Sequence, residues 1–148
     1  MRAVLTRVTS ASVTIDGEVV GKIGKGFLIL LGVGPEDTEA ECRCLAEKAL
    51  GLRVFEDENG KMNLDLETVG GELLVVSQFT LYADLKSRRP GFSGAARPDV
   101  AIPLYEYFVE LMRAEIGHVE TGRFGADMQV NILNDGPVTI VMDSNALK

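Results

Sequence analysis

The chain has 148 residues, 46% hydrophobic and 25% charged, which is enough for one buried core, so a single domain spanning 1–148 is expected. Its formal charge of −7 excludes broad affinity for nucleic acid, which arises by neutralising phosphates with Lys and Arg. The longest apolar run, "FLILL", is far below the ~20 residues that span a bilayer, and the N-terminal stretch lacks a secretory apolar block, so a soluble, cytoplasmic protein with no membrane partner is expected.

The opening "AVLTRVTSASVTI" alternates as half-buried strand does, and Asp16-Gly17 between β-branched runs is the signature of a two-residue hairpin. "KGFLILLGVG" reads as a central strand bounded by glycines. After Pro35, Thr38 and Glu41 make a capping box, and Leu45, Ala49 and Leu52 recur at helical spacing, which predicts a helix over 38–50. Cys42 and Cys44 lie on that helix at i and i+2, a poor geometry for a disulfide, so both are expected reduced.

A short strand over 53–55, a polar turn "EDENGK" and a strand over 73–79 follow, the last with a continuous apolar start that suggests burial on both faces. "DLKSRRPGFSGAARPD" reads as a loop. Between 86 and 98 it carries Lys86, Arg88, Arg89 and Arg97 and no acid, a local reversal of sign in an acidic protein. A second helix is predicted with Asp99 as cap, Pro103 in the first turn, Leu104, Phe108 and Leu111 on one face, and Gly117 as stop. Strands are expected near 119–123, 128–133 and 138–142.

The residue inventory narrows the chemistry. With His118 as the sole histidine and the two cysteines on one helix, neither a zinc tetrad nor a cofactor is expected, and no motif surrounds His118 to place it in a triad. "GKIGKGF" lacks both P-loop and dinucleotide spacing. Two motifs remain. In "SQFTLY", a buried strand ends in polar residues: its freed backbone amides could bind a developing oxyanion beside Ser77, Gln78 and Thr80, or the polar groups could simply satisfy one another. In "NDGPVT", Pro137 either blunts an edge strand at a hairpin turn or follows Gly136 in a cis peptide that turns two carbonyls outward.

Together, in this order, these motifs resemble the D-aminoacyl-tRNA deacylases. The resemblance covers the whole chain, including the opening strands, "KMNL" at 61–64 and "RRPGFSGAARP". It implies an α/β fold of the α+β type, a compact β-barrel-like sheet with two main helices, and a homodimer. It further implies active sites at the subunit interface, with residues Ser77, Gln78, Phe79 and Thr80 of one subunit facing Gly136 and Pro137 of the other across a cis bond. The implied substrate is aminoacyl-tRNA, its ester hydrolysed without a metal, and the loop bearing Lys86, Arg88, Arg89 and Arg97 is the candidate for holding the tRNA. Ser87 and Gly91 depart from the family pattern, where glycine and serine respectively are expected.

Main-chain carbonyls cannot swing aside, so they can hold a substrate's amino group while leaving no room for an L side chain; glycine, with no side chain, partly escapes such a filter. Either Thr80 attacks directly or the ribose 2′-hydroxyl of the substrate helps activate water, and the poverty of titratable groups favours the second. Two rivals remain at this level: a non-enzymatic dimer that binds nucleic acid or a protein through the basic loop, and a hydrolase of small D-amino acid esters indifferent to tRNA.

Overall fold

The alternating N-terminal segment forms one long strand, β1 (Arg2–Ile15). In the computed structural model, which describes residues 1–147, this strand is the spine of the fold. Asp16 and Gly17 both take positive φ, 50° and 79°, as the tight hairpin turn requires, and the chain returns as β2 (Glu18–Ile23). The apolar run becomes β3 (Gly26–Gly32), antiparallel to β1.

The first helix, α1 (Glu39–Gly51), begins as its sequence dictates: Thr38 Oγ1 accepts from the Ala40 amide at 3.3 Å while Glu41 Oε2 accepts from the Thr38 amide at 2.7 Å. A small hairpin of β4 (Phe55–Glu56) and β5 (Met62–Leu64) follows, starting two residues later than the expected 53–55 strand. β6 (Glu72–Ser77) then pairs parallel to β3. The second helix, α2 (Pro98–Arg113), leads to β7 (Val119–Thr121), parallel to β6. The sheet order is β2-β1-β3-β6-β7, with β8 (Gln129–Asp143) on the other edge of β1. At Gly21 of β2 a Cβ would come 2.8 Å from the Thr121 carbonyl of β7, so the two ends of the sheet meet and the barrel is nearly closed.

Both faces of the central strands are buried, as the continuous apolar runs implied. Ala3, Leu5, Phe27, Ile29, Leu31, Leu73 and Val75 pack under the two helices, while Val8, Val13, Leu28, Leu74 and Val76 fill the barrel. Phe108 of α2 is wholly buried, and truncating such a side chain to Ala costs about 3–5 kcal/mol. The cysteines are free: Cys42 is buried, its thiol donating to the Leu104 carbonyl at 3.3 Å and pushed up to about 12 by burial and then by Asp37.

Three expectations need correction. α2 is capped at Arg97 with Pro98 opening it, so Asp99 lies in the first turn, Pro103 sits deeper inside the helix, and the helix ends at Arg113, short of Gly117. β6 stops at Ser77 instead of 79, because Phe79–Tyr82 winds into a 3-10 turn. The segments 128–133 and 138–142 are no hairpin: both belong to β8 and pair with the same strand, β1.

Candidate active site

Where β6 ends, the Gln78 amide still donates to the Leu31 carbonyl at 2.8 Å, and the chain then leaves the sheet. The turn closes through Leu81 N to the Gln78 carbonyl at 3.3 Å and Ala83 N to the Thr80 carbonyl at 3.1 Å. The first amides of any helical turn lack internal acceptors. Among the described residues nothing accepts from the amides of Phe79 or Thr80. The Gln78 side-chain amide donates to Thr80 Oγ1, so those two side chains are coupled.

Ser77, Gln78 and Phe79 line a cleft of about 280 Å³ together with Phe124, Asp127 and Met128 and with Ala101 and Tyr105 of α2; Thr80 is not among its lining residues. Only Tyr105 and Asp127 among its lining residues titrate. Burial pushes the Tyr105 phenol up to about 12, and its hydroxyl is spent on the Val75 carbonyl at 2.7 Å. Tyr82, in the turn itself, is also raised to about 12, by burial first and then by Asp37. Neither phenol can take a proton at neutral pH. His118 is exposed and outside the cleft, its ring 3.1 Å from the Lys22 carbonyl, which raises its pKa.

The second motif is a bulge. Thr139 pairs with Thr6 and Asn134 with Val8, so Asp135, Gly136, Pro137 and Val138 together stand opposite Arg7 alone. The Gly136-Pro137 bond is cis, and Gly136 has φ 128°. The bulge is held from inside: the Asn134 side chain accepts from the Val138 amide at 3.1 Å and donates to Thr139 Oγ1 at 3.1 Å. From below, the buried Arg7 guanidinium donates to the Asp135 carbonyl at 3.1 Å and to the Val54 carbonyl at 2.6 Å. Arg7 shares its register with Ala3 and Leu5, and a charge in that apolar series is the signal that would have found it.

The two motifs do not touch within one chain. Ser77 is in register with Leu31, Ala3 and Met142, whereas the bulge lies level with Arg7 and Phe27. With β8, β1, β3 and β6 side by side, three strand spacings across and four residues along put them roughly 19 Å apart.

The basic loop folds against the first motif. Asp84 and Gly91 exchange backbone hydrogen bonds of 2.7 and 3.0 Å, and Phe92 meets Phe79 edge-on with centroids 5.1 Å apart. Lys86, Arg88, Arg89 and Arg97 are exposed, and none joins an ion pair among the described residues. The departures at Ser87 and Gly91 are absorbed locally: Ser87 Oγ donates to the Arg89 carbonyl at 2.8 Å, and a Cβ at Gly91 would meet nothing closer than 3.9 Å.

A family model described as D-Tyr-tRNA(Tyr) deacylase matches residues 4–143. The chain belongs to that family. This deacylase is 60% identical over 145 residues to a D-aminoacyl-tRNA deacylase of Symbiobacterium thermophilum, covering 97% of this chain and 96% of that one. It is 54% identical to a protein of the same name from Thermotoga petrophila, covering 99% of each. Among solved structures, one described as c-Myc DNA Unwinding Element Binding Protein superposes with a TM-score of 0.92 at 45% identity over 97% of this chain and 98% of that one. A second, described as a probable eukaryotic D-amino acid tRNA deacylase, shares the fold with a TM-score of 0.82 at 18% identity, over 95% and 97%. The deacylase is therefore a hydrolase built on the β-barrel-like fold with two helices. No helix is long and apolar enough to cross a membrane.

Proposed function

We propose that the chain hydrolyses the ester of D-aminoacyl-tRNA in the cytoplasm, releasing free D-amino acid and tRNA, through sites shared between two subunits. The observation that carries this reading is the pair of unpartnered amides at Phe79, which lines a cleft with few titratable groups, and at its neighbour Thr80. Ester hydrolysis passes through a tetrahedral intermediate with a negative oxygen, and such amides are its natural donors, each worth ~10²–10³ in rate. Thr80 and Gln78 orient the water, Ser77 lines the cleft, and the substrate's own 2′-hydroxyl assists proton transfer where the cleft offers no histidine or lysine.

The Gly136-Pro137 bulge supplies the chirality filter. Its main-chain carbonyls hold the substrate ammonium and leave no space for an L side chain, while achiral glycine esters are cut in part. Because bulge and turn lie far apart in one chain, the filter for each cleft comes from a second copy. Exposed Ile132, Leu133 and Val141 on β8 offer the apolar surface for that pairing. The loop bearing Lys86, Arg88, Arg89 and Arg97 then grips the acceptor end of the tRNA, since its unpaired cations are free for phosphates.

The test is loss of matched D-, L- and glycyl esters on one tRNA, with chelator present. Fast loss of the D ester, slower loss of the glycyl ester and persistence of the L ester are expected; binding of tRNA with no turnover would mark the chain as a binding module instead. Cross-subunit assembly is tested by mixing two variants, Gln78→Ala/Thr80→Ala and Gly136→Ala. Heterodimers then contain one intact site and turn over the D ester faster than either parent.

A further inference from the structure

The Phe79–Tyr82 turn is not rigid by its own bonds, since few hydrogen bonds close it and no side chain caps it. It lies instead on the end of β3, where Gly32 and Gly34 leave room. A Cβ at Gly32 would come 3.0 Å from the Gln78 carbonyl and 3.1 Å from Leu81 Cβ, and one at Gly34 would come 3.1 Å from the Tyr82 hydroxyl. Arg2 closes the other side. As the first residue of β1 it pairs with Gly32 on one edge and Asp143 on the other. Its guanidinium donates to the Leu81 carbonyl at 2.9 Å, stacks over the Tyr82 ring at 4.4 Å and reaches Asp143 Oδ2 at 3.3 Å. One planar fork thus binds a carbonyl, an aromatic face and a carboxylate, a combination that an ammonium cannot reproduce.

We propose that Arg2 is a positioning residue for the hydrolysis, fixing the Phe79–Tyr82 turn so that its two free amides keep their place beside the cleft that Phe79 lines. Arg2 touches no reacting atom; it acts through Leu81 and Tyr82. The proposal rests on the reading of that turn as the oxyanion site. It connects the catalytic turn to the last residues of β8, the strand that also carries the Gly136-Pro137 bulge.

The test compares Arg2→Met, Arg2→Lys and Tyr82→Leu with the wild type, using D-aminoacyl-tRNA and ¹⁵N-labelled protein. With its side chain 43% exposed, Arg2 can be replaced without unfolding the barrel. Arg2→Met is expected to lower kcat by about tenfold or more, since small misplacements of catalytic groups carry such losses. KM should stay within about twofold and preference for the D ester unchanged, as catalytic positioning alone is affected. The amide resonances of Phe79 and Thr80 should move while those of β2 stay. Tyr82→Leu should show the same split, and Arg2→Lys should recover only part of the rate. A rise in KM alone, with unmoved amides, would make Arg2 a simple phosphate-facing charge and overturn the proposal, as would full recovery in Arg2→Lys. A wild type inert toward D-aminoacyl-tRNA overturns the catalytic reading itself, an outcome distinct from failure of the clamp, which leaves the wild-type rate intact.

Discussion

Arg7 donates from Nε to the Asp135 carbonyl at 3.1 Å, so a guanidinium rooted in β1 props the chain at the residue before Gly136. Its partner carboxylate, 3.4 Å away, is half exposed and adds little. The weight lies in the buried carbonyl of Val54, with the part-buried carbonyl of Asp135 beside it. Arg7→Met leaves both without their donor and should cost about 2–4 kcal/mol in urea denaturation. Discrimination against L esters should fall with it, because the bulge loses its support; unchanged selectivity in a folded Arg7→Met protein would refute that link.

Gly136→Ala should damage the site more selectively than the fold. The added Cβ would stand 2.8 Å from Val138 Cγ2 and 3.0 Å from Arg7 NH2, at a φ of 128° that L side chains rarely adopt. The bulge is exposed, so melting should drop by only a few degrees while turnover of the D ester falls strongly. Side-by-side melting and deacylation assays decide it.

Thr80→Ala removes one hydrogen-bonding hydroxyl next to Gln78, an effect of about 1 kcal/mol, or roughly fivefold in rate. A substrate ending in 2′-deoxyribose should lose far more, about 10²–10⁴, if its hydroxyl serves as the proton-transfer group. The reverse order of sensitivity would make Thr80 the nucleophile.

Removing Arg88 and Arg89 together should raise KM and leave kcat alone. For two lost phosphate contacts, the slope of log affinity against log salt should flatten by roughly 1.4–1.8. An unaltered slope would place the tRNA elsewhere and favour a small-ester hydrolase.

Alkaline titration offers a check on the core. Tyr82, Tyr105 and Cys42 are each raised to about 12 in the folded chain, from ordinary values of 10.0, 10.0 and 9.0. The unfolded chain therefore loses these protons first, so stability is full below about pH 9 and falls as pH climbs from there toward about 12. Urea midpoints taken from pH 8 upward should show that decline, and absorbance at 295 nm should show Tyr82 and Tyr105 ionising only toward about pH 12.

Local chemistry was legible in the sequence; the identity of neighbours was not. The Thr38 capping box, the Asp16-Gly17 hairpin and the doubly buried central strands follow from side chains a few residues apart. The hairpin expected at "NDGPVT" failed for the opposite reason. Asp, Gly and Pro announce a break in a strand, but whether the chain reverses or rejoins the same partner depends on β1, more than a hundred residues away in sequence. The strand expected through Phe79 failed because apolar "FTLY" satisfies strand and 3-10 turn alike, and only loss of the Leu31 neighbour decides between them. The cleft lining from Phe124 to Met128 was missed because Asp127 alone carries chemistry there and no motif surrounds it.

Because both flanks of the bulge are anchored on β1, its span is fixed like an arch with two feet on one beam. Point changes within it alter what the arch presents, but a one-residue change in its length, passed on to 139–143 as a slip against β1, would turn each of those side chains to the opposite face. Met142 would leave the core and Asp143 would leave Arg2. The residue count between Asn134 and Thr139 is thus under tighter constraint than most of the identities within it.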